Sequence, residues 1–199
     1  MAINTTQQAP LERLLANARS KKVIPYIRNK NVLDFGCGIK AWNANAIHRH
    51  CKSIVGVEEN YSTPQLVGKV NVYPSLSHIP DQHKFDVILA LAVFEHIDPF
   101  TLIEILKRMS AICSSNAILV GTVPTPQARP ILEFISYRLR LIDESQIRDH
   151  KVYYDDFWLS AIVGKTTWKL SSYNRFQLGM NSHFILKPKY AKDHSQNQK

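Results

Sequence analysis

Three groups of residues in this chain have types and spacings suited to chemistry. Asp34-Phe35-Gly36-Cys37-Gly38 places a carboxylate two residues before a pair of glycines. Glu58 stands twenty residues beyond Gly38 and closes the apolar run Ser53-Ile54-Val55-Gly56-Val57. Two histidines complete the set, His96 after the apolar run Val87 to Phe94 and His150 among Asp149, Tyr153 and Tyr154, and the imidazole titrates near neutral pH. Glycines at a strand end let the backbone approach a ligand closely, with the next helix N-terminus behind them. A carboxylate at the end of the second strand can accept hydrogen bonds from two ribose hydroxyls. Together these features point to an adenosine-containing cofactor. Cys37 lies inside the turn and is assigned packing.

Which cofactor follows from charge. Gly36-Cys37-Gly38-Ile39-Lys40-Ala41 satisfies the G-x-G-x-x-A dinucleotide pattern. A pyrophosphate would not be stabilised beside Asp34, whereas a ligand carrying a sulfonium and an ammonium would be. The expectation is S-adenosylmethionine.

The elements that position these residues alternate. Asn31 to Phe35, Ser53 to Val57, Phe85 to Ala90 and Ala117 to Thr122 are short, nearly all-apolar runs that read as buried strands. An edge strand is expected over Lys69 to Tyr73. Between the strands, residues 41–50 read as a helix with Trp42, Ala46 and Ile47 on one face. Another helix follows Asp98-Pro99, with Asp98 as its N-cap. Trp168 to Phe176 and Asn181 to Leu186 read as an antiparallel hairpin. The predicted fold is α/β: a Rossmann-like, doubly wound, mostly parallel seven-stranded sheet with an antiparallel last strand and a helical lid between strands 5 and 6. The expected organisation is a single domain over 1–199, with N-terminal helices at 10–30 and a cofactor-binding core at 31–128. A lid at 129–165, a C-terminal hairpin at 166–188 and a disordered tail at 189–199 complete it. Within the front segment, Pro10 to Ala18 has helical spacing, a basic turn runs from Arg19 to Lys22, and a short helix runs from Val23 to Ile27. In the lid, Pro130 to Ile142 is amphipathic, and a second helix runs from Asp155-Asp156 through Ile162.

These residues resemble the class I S-adenosylmethionine-dependent methyltransferases. Asp34-x-Gly36-x-Gly38 is similar to their first motif and Val55-Gly56-Val57-Glu58 to their second. Phe85-Asp86-Val87-Ile88 to Val93-Phe94-Glu95-His96-Ile97, and the ending Gly179 to Phe184, resemble the small-molecule, ubiquinone-biosynthesis-like (type 11) branch. The resemblance implies that Asp34 holds the methionyl ammonium and that the turn from Asp34 to Gly38, with Phe35 and Cys37, cradles the methionine portion. It further implies that Glu58 binds the ribose, Glu59 flanks the adenine, Ser75 and Leu76 line it, and Leu91 and Ala92 sit beside the methionyl chain. The chain departs from the family pattern at Lys40, Ser75, Ala92 and Ser114-Ser115-Asn116. Ala92 stands where the ubiquinone-type enzymes carry a magnesium-binding acid, so no metal is expected.

On this reading His150 and His96 are the candidate bases for the acceptor. The competing readings are a surface histidine packing on Tyr153 and a helix-start residue bonding the backbone. Tyr153, Tyr154 and Trp158 are the candidate acceptor-binding residues, together with Phe157. Arg138 and Arg140 are candidate anion clamps. The expected acceptor is a small molecule, anionic or amphipathic.

Composition narrows the alternatives. The chain has 199 residues, 45% of them hydrophobic, and a formal charge of +9. That charge admits a nucleic acid, but it is dispersed and lacks an aromatic-interleaved stripe. The segment after the fourth strand has no Asp/Asn-Pro-Pro-Tyr/Phe, and no Pro-Cys pair exists for cytosine methylation. Tyr26-x-x-x-Lys30 precedes the cofactor turn, which argues against a short-chain NAD-dependent dehydrogenase. A non-catalytic S-adenosylmethionine-binding subunit remains an alternative. Three cysteines with no paired spacing and no signal-like or membrane-length segment fit a cytoplasmic protein.

Overall fold

The apolar runs assemble into one sheet because strands buried on both faces have only other elements to pack against. A computed structural model describes residues 20–128 and 151–190. The expected helix at Pro10 to Ala18, the amphipathic stretch Pro130 to Ile142, Arg138, Arg140 and His150 lie outside the described residues.

The elements, in order, are a helix over residues 20–27 (α1), β1 (Asn31–Phe35), α2 (Trp42–Ile47), β2 (Ser53–Val57), β3 (Gln65–Val67) and β4 (Val70–Tyr73). They continue with β5 (Phe85–Leu91), α3 (Pro99–Ala111), β6 (Cys113–Pro124), α4 (Asp156–Val163), β7 (Trp168–Phe176) and β8 (Asn181–Pro188). The eight-stranded sheet has the order β3-β4-β2-β1-β5-β6-β8-β7. Strands β4, β2, β1, β5 and β6 are parallel, and β8 runs antiparallel to both β6 and β7. The doubly wound, mostly parallel class is the one expected. The extra strand is β3, which pairs antiparallel with β4 across Gly68, so β4 is not the edge.

Side chains alternate across the strands and divide the sheet into two faces. On one, Val32, Val87, Leu89, Leu91 and Val120 pack under Val23 and Ile27 of α1. On the other, Leu33, Ile88, Ala90, Leu119, Phe184 and Leu186 pack against Leu102, Leu106 and Met109 of α3 and Leu159 and Val163 of α4. Trp168 is buried there and donates its indole N–H to Leu106 O at 2.9 Å.

Local chemistry sets the helix starts. The Asp98 carboxylate accepts from Phe100 N at 3.1 Å and Thr101 N at 3.0 Å, with Pro99 as the first helical residue. A hydrogen bond from the Thr101 side chain, together with these two backbone bonds, holds its pKa below the ordinary carboxylate value. Asp155 Oδ1 accepts from Trp158 N at 2.8 Å and caps α4. Three sequence details differ. Ser20 to Lys22 belong to α1 and are not a turn. Trp42 is exposed, because α2 buries Ala44 and Ile47. Lys189 is anchored, its ammonium donating to Gly164 O at 2.7 Å and Thr166 O at 2.6 Å. No helix among the described residues is long and apolar enough to cross a membrane.

Candidate cofactor and acceptor site

All five parallel strands end at the same edge of the sheet, where an open α/β fold binds ligands. At the end of β1 the chain turns through two left-handed glycines, Gly36 (φ +69°) and Gly38 (φ +73°). The turn is bonded to β2: Gly36 N and Cys37 N donate to Val57 O at 2.9 and 3.1 Å, and Gly38 N donates to Glu58 Oε2 at 2.9 Å. The glycines serve different needs. A Cβ on Gly36 would lie 2.6 Å from Val93 Cγ2, whereas one on Gly38 would meet nothing within 4 Å among the described residues. Gly36 therefore makes room for a neighbour, and Gly38 leaves open space above the turn. Cys37 packs with Ala41, Ala44, Val70 and Val72. Burial, reinforced by the Asp34 and Glu58 carboxylates, pushes its thiol pKa up, so it stays protonated.

Asp34 is the electrostatic feature of the site. It is buried, and its Oδ2 has no hydrogen-bond partner among the described residues. Loss of hydration raises its pKa to about 7. A buried carboxylate held this way is stabilised by a cation brought close to it. Glu58 is buried at the end of β2, its Oε1 accepting from the Asn60 backbone N–H at 3.3 Å and from the Asn60 side-chain amide. Asn60 was not singled out from sequence; an amide two residues after a strand-end carboxylate is the signal that would have found it.

The other expected cofactor residues surround this turn to different degrees. Phe35 packs on the α3 face through its side chain, so only its backbone lies in the turn. Glu59 is exposed. Ser75 Oγ pairs with Ser77 Oγ at 2.8 Å and His78 Nδ1 at 2.9 Å, and Leu76 is buried in the α3-face core. Leu91 ends β5 on the α1 face, and Ala92 takes a left-handed φ of +58°, its N–H donating to Thr122 O at 2.9 Å.

On the acceptor side, a short turn over Phe94–His96 follows β5. His96 is half-buried there, its N–H donating to Val93 O at 3.0 Å. The carbonyl of buried Glu95 accepts from Lys151 N at 2.7 Å and Val152 N at 3.3 Å, which ties the returning chain to this turn. Tyr153 is half-buried. Tyr154 is fully buried in the α3-face core, and burial pushes its phenol up to about 12. Trp158 is exposed on the first turn of α4, beside Phe157. The segment that carries Tyr153 and Tyr154 thus returns to the turn that carries His96, with the Tyr154 hydroxyl 3.5 Å from Ile97 O and its ring in the core.

Sequence reasoning missed a second polar group. Buried Thr122 pairs with buried His183 across β6 and β8, and His183 stacks on Tyr26 of α1 with ring centroids 5.6 Å apart. The available signal was the alternation in β8, where Asn181 and His183 interleave with Ser182, Phe184 and Leu186.

The comparisons with known proteins agree with this geometry. A profile of the methyltransferase domain family matches residues 6–163. No curated protein matches the chain. A solved protein from Pyrococcus horikoshii OT3 is similar with a TM-score of 0.67 at 14% identity, over 95% of this chain and 94% of that one. A SAM-dependent methyltransferase from Archaeoglobus fulgidus is similar with a TM-score of 0.63 at 20% identity, over 88% of this chain and 94% of that one. Magnesium protoporphyrin IX methyltransferase from Synechocystis PCC 6803, solved with bound SAH, has a TM-score of 0.58 at 10% identity, over 89% of this chain and 83% of that one. With the strand order, the glycine turn and the profile match all in agreement, the chain belongs to the methyltransferase domain family and has the fold of the class I S-adenosylmethionine-dependent methyltransferases.

Proposed function

We propose that this chain transfers a methyl group from S-adenosylmethionine to a hydroxyl or amine of a small-molecule acceptor. The observation that carries the cofactor assignment is the buried, unpartnered Asp34 carboxylate oxygen beside the open turn at Gly38. S-adenosylmethionine, when bound, supplies an electrophilic methyl group on a sulfonium. The residues present fit such a ligand: Asp34 would hold its ammonium, which satisfies Oδ2, and Gly38 would admit its methionine portion. Glu58 would accept from a ribose hydroxyl; a carboxylate has about four lone-pair sites, and its bonds to Gly38 N and to the backbone and side chain of Asn60 leave room for one more. Leu91 and Ala92 would line the methionyl side, and Ser75, Leu76 and Glu59 the adenine side.

For the acceptor, the chain's task is orientation and water exclusion, since holding two reactants in line supplies much of the rate of a displacement. The turn at Phe94–His96, with the segment tied to it through Glu95 O, forms the wall. His96, Tyr153 and Trp158 are its candidate acceptor-facing residues, and His150 belongs to the same proposal. Tyr154 would support that wall from within the core. The small size of the acceptor is supported by the scattered positive charge and by similarity to an enzyme whose named acceptor is a porphyrin.

The test is incubation of the purified chain with methyl-tritiated S-adenosylmethionine and a cell extract, followed by ultrafiltration and RNase treatment. Label in the small-molecule filtrate, abolished by Asp34→Ala, supports the proposal. Label retained with macromolecules and released by RNase would contradict it.

A further inference from the structure

On the α1 face of the sheet two buried polar atoms have no hydrogen-bond partner among the described residues: Asp34 Oδ2 and His183 Nε2. The cationic end of the cofactor accounts for the first. Nothing among the described residues accounts for the second, although leaving a ring nitrogen dry and unpaired carries a cost that folds normally avoid.

The register places His183 where an acceptor would be. Asp34 lies level with Leu89, Leu89 with Val120, and Val120 with Ile185. His183 is two residues nearer the carboxyl edge than Ile185, opposite Thr122, which is level with Leu91. It therefore lies three strands from Asp34, about 14 Å across the sheet and about 7 Å along it. A methionyl chain and a ring-sized acceptor laid end to end fill such a span. Tyr26 stacks on the ring and fixes its plane. Lys22, one helical turn before Tyr26, lies with its ammonium 5.7 Å from the Phe176 ring centre at the end of β7. The groups facing His183 are Tyr26 and Lys22 from α1, Thr122 from β6 and Asn174 from β7.

We propose that His183 is the proton acceptor for a hydroxyl-bearing substrate, its Nε2 receiving the hydroxyl hydrogen bond and then the proton. The proposal rests on the methyltransferase reading above and adds to it the acceptor class and a residue. In the step, the acceptor oxygen forms the new bond to the methyl carbon, and the carbon–sulfur bond breaks with its electron pair going to sulfur. The hydroxyl proton goes to Nε2, giving an imidazolium that discharges to water as product leaves. Burial and the Lys22 ammonium hold the imidazole below its ordinary value of 6.5, which keeps the ring neutral at neutral pH, and in the tautomer with its proton on Nδ1 the Nε2 lone pair is free to accept.

The experiment uses the full chain loaded with S-adenosylhomocysteine and phenol as the probe, read by ¹⁵N-histidine NMR and by titration. The expected result is an unprotonated His183 Nε2 at pH 7 whose resonance moves on adding phenol. His183→Phe, which keeps the stack on Tyr26, weakens phenol about tenfold, a change of about 1.4 kcal/mol. His183→Gln, which keeps an acceptor oxygen, stays within about twofold, and neither variant changes the S-adenosylhomocysteine Kd by more than about twofold. An Nε2 protonated at pH 7, a resonance unmoved by phenol, or equal phenol affinity in all three chains overturns the assignment. Failure of the unaltered chain to bind S-adenosylhomocysteine overturns the methyltransferase reading itself, and this inference with it.

Discussion

Alanine at the two glycines of the β1–α2 turn should produce opposite phenotypes. Both positions have left-handed backbone, Gly36 at φ +69° and Gly38 at φ +73°, where a side chain costs about 1–2 kcal/mol. Gly36→Ala adds a clash, because its Cβ would lie 2.6 and 2.9 Å from the two Val93 methyl carbons. Valine is stiff about χ1, so the overlap is relieved only by backbone movement, about 1–3 kcal/mol more. Gly36→Ala should therefore lose about 2–5 kcal/mol in urea denaturation, and Gly38→Ala only about 1–2 kcal/mol. Ligand affinity should rank the other way. The Gly38→Ala methyl projects into the open space above the turn and should weaken S-adenosylhomocysteine at least tenfold, about 1.4 kcal/mol. Val93→Ala should restore about 1–3 kcal/mol to Gly36→Ala and nothing to Gly38→Ala. Equal destabilisation of the two single variants, or no rescue by Val93→Ala, would refute the reasoning.

Two further predictions concern charge and capping. Burial raises the Asp34 pKa to about 7, above its unfolded value of 3.8. The folded state then binds the extra proton, so this contribution to stability is complete below pH 3.8 and is lost as pH rises through about 7. Urea midpoints of the unliganded chain at pH 5 and 8 should show it, and Asp34→Asn should remove it. Because an ammonium ligand selects the ionised form, S-adenosylhomocysteine affinity should fall by up to about tenfold per pH unit below 7, again only with Asp34 intact. Asp155→Ala removes the cap that accepts from Trp158 N and should cost about 1 kcal/mol in urea denaturation without changing the S-adenosylhomocysteine Kd.

The strands and the glycine turn that bring Asp34, Gly36, Gly38 and Glu58 to one edge of the sheet were legible in the sequence because local patterns carry them. Apolar runs of strand length, a glycine pair after Asp34 and a carboxylate after β2 each act within a few residues of where they lie. Asp98-Pro99 is likewise a local signal, and it starts α3 as expected. What was not legible depends on pairing between distant segments. β3 has three residues, too few to show alternation, and exists because Gly68 folds it back on β4. Trp42 read as inward-facing, yet the left-handed Ala41 sets the start of α2 so that Ala44 and Ile47 face the sheet. His183 becomes notable only once β8 lies against β6 and α1 brings Tyr26 over it, a contact between residues far apart in the chain. His150 lies outside the described residues, so its proposed role rests on the sequence.

The central claim is that Asp34 and Glu58 define a site for a cationic adenosine ligand. Calorimetric titration with S-adenosylhomocysteine, NAD and NADP, repeated on Asp34→Ala and Glu58→Ala, tests it most directly. The account predicts micromolar-range binding of S-adenosylhomocysteine alone, about −8 kcal/mol, lost in both variants. Binding of NAD or NADP, or S-adenosylhomocysteine affinity unchanged in Asp34→Ala, would contradict it.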